Sequence, residues 1–292
     1  MNPLHITIGR RLSSLLAALI VLCSFAFSGD TGIKEIGRTT EKELNVVLSS
    51  SFGSVFISKG EPEKILFGES VGGTRIPELA VDYTIRNRVG YLDISIGEEV
   101  ERKKGSLNVN PFDAGKRFLK FSSAIPISFD IQLGVGKGNF DMTGLQVKDF
   151  RLSTGASDVT LTFDEPNRTT IDDITIESGV SRFTGINLGN ANFKRFKFHG
   201  GVGTYKLDFS GNLSHEVDVE IEVGLGVLTI VVPDEIGAKV FYQKSWVSRL
   251  DYDRDFRAVN DDQYITDNFN GADGRMNIRI DSGLGSVKVR RR

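Results

Sequence analysis

The sequence predicts an all-β fold, a single-chain β-solenoid, and three observations lead there. One pattern recurs seven times: apolar residues five and three positions before a small residue, an apolar residue four after it, and usually another six after it. In the five central copies the small residue falls at 136, 155, 179, 201 and 224, with steps of 19, 24, 22 and 23 that match a solenoid period. Beyond residue 28, no stretch carries the 3.6-residue apolar spacing of an amphipathic helix.

Residues 1–28 differ from all that follow. Arg10 and Arg11 precede an apolar run from Leu15 to Phe27, and Ala26-Phe27-Ser28 places small residues at −3 and −1 of a cleavage site before Gly29. A basic start, a short apolar run and a small-x-small exit describe a secretory signal peptide. The run falls short of the ~20 residues a spanning helix needs, so cleavage is expected rather than retention as an anchor. Leu22 before Cys23 argues against a lipoprotein signal, and the residues around Arg10-Arg11 support a twin-arginine signal poorly. The expectation is export to the periplasm or cell surface, with no transmembrane helix after cleavage. Cleavage also removes Cys23, the only cysteine, and with it any disulfide, thiolate nucleophile or thiolate metal site. The net charge is −2, or −4 without Arg10 and Arg11. That balance offers no basic field to nucleic acid.

The first copy of the pattern is Val46-x-Leu48-x-x-Ser51-x-Gly53-x-Val55-x-Ile57. Residues 60–125 then break the rhythm. Tyr83-x-Ile85 and Tyr91-Leu92-x-Ile94 flank Asn87-Arg88-Val89-Gly90 and predict a hairpin; Glu101-Arg102-Lys103-Lys104-Gly105 reads as a solvated loop. Five copies follow, centred on Gly136 (Ile131, Leu133, Phe140, Met142), Gly155, Gly179, Gly201 and Gly224, and a last copy is centred on Gly283. Residues 243–275 form a second irregular stretch before it. Alternating apolar residues turn one face of a strand inward. A glycine between two such strands lets the chain turn a corner, through positive φ or close backbone approach. Ser51, Gly136, Gly155, Gly179, Gly201, Gly224 and Gly283 are therefore the expected corners. One copy buries little alone, and stacked copies share a core to which the 20 phenylalanines are suited. An ordinary β-sandwich also alternates and turns every ~8–12 residues; the regular step and the fixed small residue favour the solenoid.

Several stretches in fixed order carry a family resemblance: Leu44-Asn45-Val46-x-Leu48 into Phe52-Gly53-Ser54-Val55; Val81-Asp82-Tyr83; Gly90-Tyr91-Leu92-Asp93-Ile94; Ser106-Leu107-Asn108-Val109-Asn110; Ile125 through Gly136; Thr143-Gly144-Leu145; Ser153-Thr154-Gly155-Ala156-Ser157; and Ile278 through Val289. Over residues 40–290 the chain resembles the bacterial toast-rack proteins, a family related to the C-terminal domain of LiaF-like, cell-wall-active-antibiotic response proteins. The resemblance implies a right-handed β-helix-like stack with a small N-terminal β domain over one end. Here that assigns residues 29–125 to the β domain and 126–292 to the repeats. It also implies a role in sensing or modulating envelope stress through protein contacts, with no catalytic residues. LiaF-like proteins place a multi-helix membrane domain ahead of this module, where this chain shows only a signal peptide.

Candidate chemistry is sparse. His199 and His215 lie on or beside strands without a serine or cysteine partner motif, and a structural role is expected. Asp251-x-Asp253-x-Asp255, with Asp261-Asp262 downstream, is the best hard-cation candidate, but it lacks the glycine and terminal glutamate of a calcium loop and is interrupted by Arg254 and Arg257. A charged exposed loop is the expectation, with no metal and no cofactor. Asp172-Asp173 with Glu177 could serve glycoside chemistry only if two carboxylates faced each other across a cleft. Gly134-x-Gly136-x-Gly138 imitates a nucleotide fingerprint but opens no helix. Tyr242, Trp246 and Tyr252 flank the 243–275 stretch and are the candidate partner surface, with sealing the end of the stack as the alternative. Lys288, Arg290, Arg291 and Arg292 form a basic tail, expected to protect a terminal edge or else to meet an anionic membrane. The reading is a non-enzymatic exported envelope protein, an interaction or scaffold module contacting an envelope protein or cell-wall component. The alternative is a β-helical carbohydrate-active enzyme or glycan binder.

Overall fold

The computed structural model describes residues 32–72, 79–97, 115–243 and 248–292. The signal sequence, the basic loop 101–105 and Trp246 lie outside these residues. Gly32–Arg292 is one compact unit. Its strands in chain order are β1 (Ile33–Gly37), β2 (Glu43–Lys59), β3 (Lys64–Val71), β4 (Leu79–Arg86), β5 (Val89–Ile96), β6 (Lys116–Phe121), β7 (Pro126–Asp141), β8 (Gln146–Thr162), β9 (Ile171–Ile186), β10 (Phe193–Asp208), β11 (Glu216–Val232), β12 (Gly237–Gln243), β13 (Ser248–Tyr252), β14 (Phe256–Ala258), β15 (Gln263–Thr266) and β16 (Arg275–Arg291). Among the described residues, helix is confined to a 3-10 turn at Leu188–Ala191.

Each of the seven sequence copies is one long strand of 16 or 17 residues: β2, β7 to β11 and β16. They pair parallel, in the order β2-β7-β8-β9-β10-β11-β16. Every one of these rungs bends. In β11 the buried residues alternate as Val217, Val219, Ile221 and Val223, then as Leu228, Ile230 and Val232, with Val231 also buried at the end of the strand. The alternation changes parity between Val223 and Leu228, which a flat strand cannot do without turning one half inside out. The chain turns a corner instead, so both arms keep their apolar side inward. Phe198 of one arm meets Tyr205 of the other within a single rung, at 5.1 Å between ring centroids. Connecting segments add Phe163, Leu188, Phe209 and Leu213, all buried, to the core. Asparagines hold those segments in step: Asn167 receives the Val147 N–H and donates to the Val147 carbonyl, and Asn190 donates to Phe163 O and receives Asn212 N–H.

A broken rung caps each end. β5 and β6 pair parallel with the two arms of β2, and β12 and β13 do the same for β16. The irregular stretches are thus partly rungs in two pieces. Beyond them, β4 pairs antiparallel with β5, β3 with β6, and β1 with β3. At the other end β15 pairs antiparallel with β12, and β14 antiparallel with β15. The expected hairpin is β4–β5, turning on Asn87 and Arg88 at φ 51° and 64°, the pair of positive φ values a type I′ turn requires.

The corner register corrects one expectation. Ser51, Gly134, Gly155, Gly179, Gly201, Gly224 and Gly283 occupy one column across the rungs. Gly136, expected there, sits two residues further on, opposite Gly53 and Ser157. The constraint in the first column is close approach. A Cβ on Gly155, Gly179, Gly201 or Gly224 would stand 2.6 to 2.9 Å from the carbonyl oxygen of the preceding rung's glycine. Ser51 holds this position in the first full rung, whose preceding rung is formed by β5, ending at Ile96, and β6, starting at Lys116. Positive φ appears in the second column instead, at Gly53, Gly136, Gly226 and Gly285.

Candidate functional site

Part of the outward-facing surface of the first arm is built from charge-matched columns. In a parallel in-register stack identical positions lie about 4.8 Å apart, so like charges in one column repel and opposite ones attract. The column through Asp173, Arg195 and Asp218 alternates accordingly. Arg195 donates two hydrogen bonds of 2.6 Å to Asp173 and holds that carboxyl below the usual range. Asp172 pairs with Lys194 at 2.7 Å. These two acids are therefore engaged in the wall of the sheet. His215 meets the Phe193 carbonyl at 2.9 Å. The three-glycine run Gly134-x-Gly136-x-Gly138 lies inside strand β7.

The acidic triplet at 251–255 and the basic tail belong together. Arg290 donates to Asp251 at 2.5 Å and lies 3.4 Å from Asp253, and the hydrogen bond from Arg290 keeps the Asp251 carboxyl low. The Arg291 side chain is buried, donating to the carbonyls of Ile236 (2.9 Å) and Asp234 (2.6 Å), with Asp255 at 3.9 Å. Tail and loop thus fasten β13 and its neighbours to the last full rung. No group of three or more metal-ligating side chains gathers among the described residues. Of the aromatic candidates, Tyr242 is buried and its hydroxyl contacts Ser248, so it offers no partner surface. Tyr252 is partly exposed and packs against Tyr264, ring centroids 4.6 Å apart.

The feature that stands out lies along the corner. Glycine at an outward-facing position leaves a furrow, and seven rungs in register extend it. A groove of about 800 Å³ is lined by residues of five rungs, among them Ser49, Gln132, Ser153, Glu177 and His199; a second of about 450 Å³ continues from His199 past Glu222 to Asp281. The wall two residues before the corner is polar at every rung: Ser49, Gln132, Ser153, Glu177, His199, Glu222 and Asp281. His199 Nδ1 lies 3.1 Å from Glu222, and Ser153 donates to Glu177 at 3.3 Å. This wall can hydrogen-bond a ligand running along the stack and carries three carboxylates, Glu177, Glu222 and Asp281, over its last four rungs.

On the other side of the glycine column stands an apolar ridge. The residue directly after the corner is Phe52, Val135, Ala156, Val180, Val202, Leu225 and Leu284 in successive rungs. Val135, Val180, Val202, Leu225 and Leu284 are 37 to 64% exposed. Exposed apolar residues scattered singly need no explanation, whereas a contiguous line of them marks a contact surface. The repeat pattern hides the ridge, because its position reads as the variable residue between two glycines.

A parallel stack with a glycine corner, antiparallel end caps and a furrow along its glycines defines a β-solenoid-like class of protein. The family follows from the sequence match: residues 28–184 and 167–231 match the model for the N-terminal domain of toast_rack, DUF2154, and the chain belongs to that family. No curated relative matches the chain. Among solved structures, it is similar to a provisionally named cell adhesion protein from Clostridium sporogenes ATCC 15579, at 20% identity and a TM-score of 0.45, covering 89% of this chain and 98% of that one. It is also similar to a provisionally named adhesin from Bacteroides fragilis NCTC 9343, at 12% identity and a TM-score of 0.34, covering 88% and 95%. Neither likeness is close enough to transfer a function. No helix of the described residues is long and apolar enough to cross a membrane.

Proposed function

We propose that this is a non-enzymatic envelope protein, exported to the periplasm or cell surface, that works by contact along the corner of its stack. The observation that supports the reading is the exposed apolar ridge, continuous over successive rungs beside a groove. On this reading β2 and the rungs of residues 126–292 are a scaffold that holds the ridge straight, with the rest of residues 29–125 as the N-terminal β domain. The partner on this reading is an envelope protein or cell-wall component, and the contact serves the response to envelope stress. A glycan-binding reading is favoured by the polar wall of the groove, whose hydroxyls, amide and carboxylates suit sugar hydroxyls.

Two variants separate these readings. Val180→Ser/Val202→Ser/Leu225→Ser removes the apolar side chains of the ridge without placing like charges on adjacent rungs, each costing about 1–2 kcal/mol of an apolar contact. Together they should lower adsorption to isolated envelopes at least about tenfold, with melting unchanged because the side chains are exposed. If adsorption instead survives in that variant and is lost in Glu177→Gln/Glu222→Gln, the contact reading fails and glycan binding takes its place.

A further inference from the structure

The first arm ends on β4, and of the four strands at the ends of the stack it is the least protected. β1 and β13 have five residues and carry Lys34 with Glu35 and Arg249 with Asp251; β14 has three. β4 has eight, without proline, glycine or a bulge, and among the described residues it pairs with β5 alone. Long regular edges are the ones that recruit another strand.

Two further observations indicate what it recruits. The inner face of β4 is incompletely covered: Val81 and Tyr83 pack on the core while remaining partly exposed, and Ile85 is 38% exposed. At the opposite end of the stack, Phe256 and Tyr264 are buried. On the outer face, Asp82 stands directly opposite Asp93 of β5, a like-charge pair that costs stability. Neither acid has an ion-pair partner among the described residues, and neither has Arg86, exposed on the same face of β4.

We infer that β4 is the contact between two copies of this chain, paired antiparallel about a two-fold axis at Thr84. In that register Thr84 faces Thr84 of the second copy, Tyr83 faces Ile85, and Asp82 faces Arg86, the last two pairs each occurring twice. Every match is of a kind that stabilises antiparallel strands: hydroxyl with hydroxyl, aromatic with β-branched, acid with base. Each arginine arrives beside the Asp82–Asp93 pair and offsets its repulsion. Centring on Tyr83 leaves Asp82 opposite Thr84 and Arg86 opposite Ala80, and centring on Asp82 opposes that acid to itself. Shifting by one residue sets an inner face against an outer one. Self-complementarity of this kind is what an isologous interface requires, and it continues the first-arm sheet from one copy into the next.

Sedimentation of the full chain over a concentration series tests this. A dimer that dissociates on dilution is expected. Asp82→Arg and Arg86→Asp should each weaken it at least tenfold, and the double variant should regain wild-type association because the pair is restored in reverse. Thermal melting of each variant separates lost pairing from lost folding, since these side chains are exposed. A chain carrying Cys23→Ser and Thr84→Cys should form a disulfide-linked dimer on mild oxidation, because directly opposed antiparallel residues lie about 4.5–5.5 Å apart at Cα, within disulfide range. A chain that stays monomeric overturns the proposal. So does a dimer that ignores both charge reversals and fails to crosslink through residue 84.

Discussion

Gly226→Val is expected to lower the melting temperature by roughly 10 to 20 °C. Gly226 has φ +149°, a region that β-branched residues avoid. A Cβ there would also fall on the carbonyl oxygen of Gly203 in the neighbouring rung. Both obstacles are backbone, so no side chain can swing aside. The rung cannot shift either, because it is hydrogen-bonded to β10 on one side and β16 on the other. Backbone strain costs about 1–3 kcal/mol and overpacking about 1–3 or more. Their sum is a large part of the 5–15 kcal/mol that stabilises a typical domain, and each kcal/mol moves the melting point by about 2–4 °C at this size. Gly201→Val should cost less: its φ lies outside the left-handed range, and its Cβ would stand 2.7 Å from Gly179 O. Circular dichroism melts of both variants check this; a Gly226→Val chain melting within about 2 °C of wild type contradicts the corner geometry.

Removing β16 should abolish cooperative folding altogether. The strand comes last in the chain yet lies between β11 and the broken rung of β12 and β13. A chain ending at Gly274 loses Met276, Ile278, Ile280, Val287 and Val289 from the core. At about 1.5–3 kcal/mol each, that is comparable with the whole stability of a domain. It also frees the edge of β11, a 17-residue strand, for aggregation. The Arg290 and Arg291 contacts that hold the 251–255 loop go with it. Denaturant titration should show no sharp transition; a soluble truncated chain with an unchanged midpoint would refute this view of the strand order.

Local signals were legible and long-range ones were not. The seven rungs, the β4–β5 hairpin and most of the corner column could be read because alternation, Asn87-Arg88 and recurring glycines act over a few residues. The copy around Gly136 shows the limit. Phe129, Ile131 and Leu133 alternate alike, and three glycines follow at intervals of two, so a slip of two residues leaves the pattern intact. The broken rungs escaped because their halves are separated in sequence and nothing local links Ile96 to Lys116. Tyr242 looked like surface in a stretch of irregular rhythm, but it sits on the inner face of β12. The ridge was in view throughout as the residue between Gly224 and Gly226, or between Gly283 and Gly285. Its apolar character in every copy carries meaning only once the rungs are known to align.

The claim that this stack works through its ridge is tested most directly by a photoreactive residue placed, one site at a time, at Val202, at Leu225 and at Arg151 on the outer face of the first arm, in cells producing the full chain. The account predicts one adduct of the same mass from positions 202 and 225 and none from 151. Equal labelling from all three positions, or an adduct from 151 alone, contradicts it.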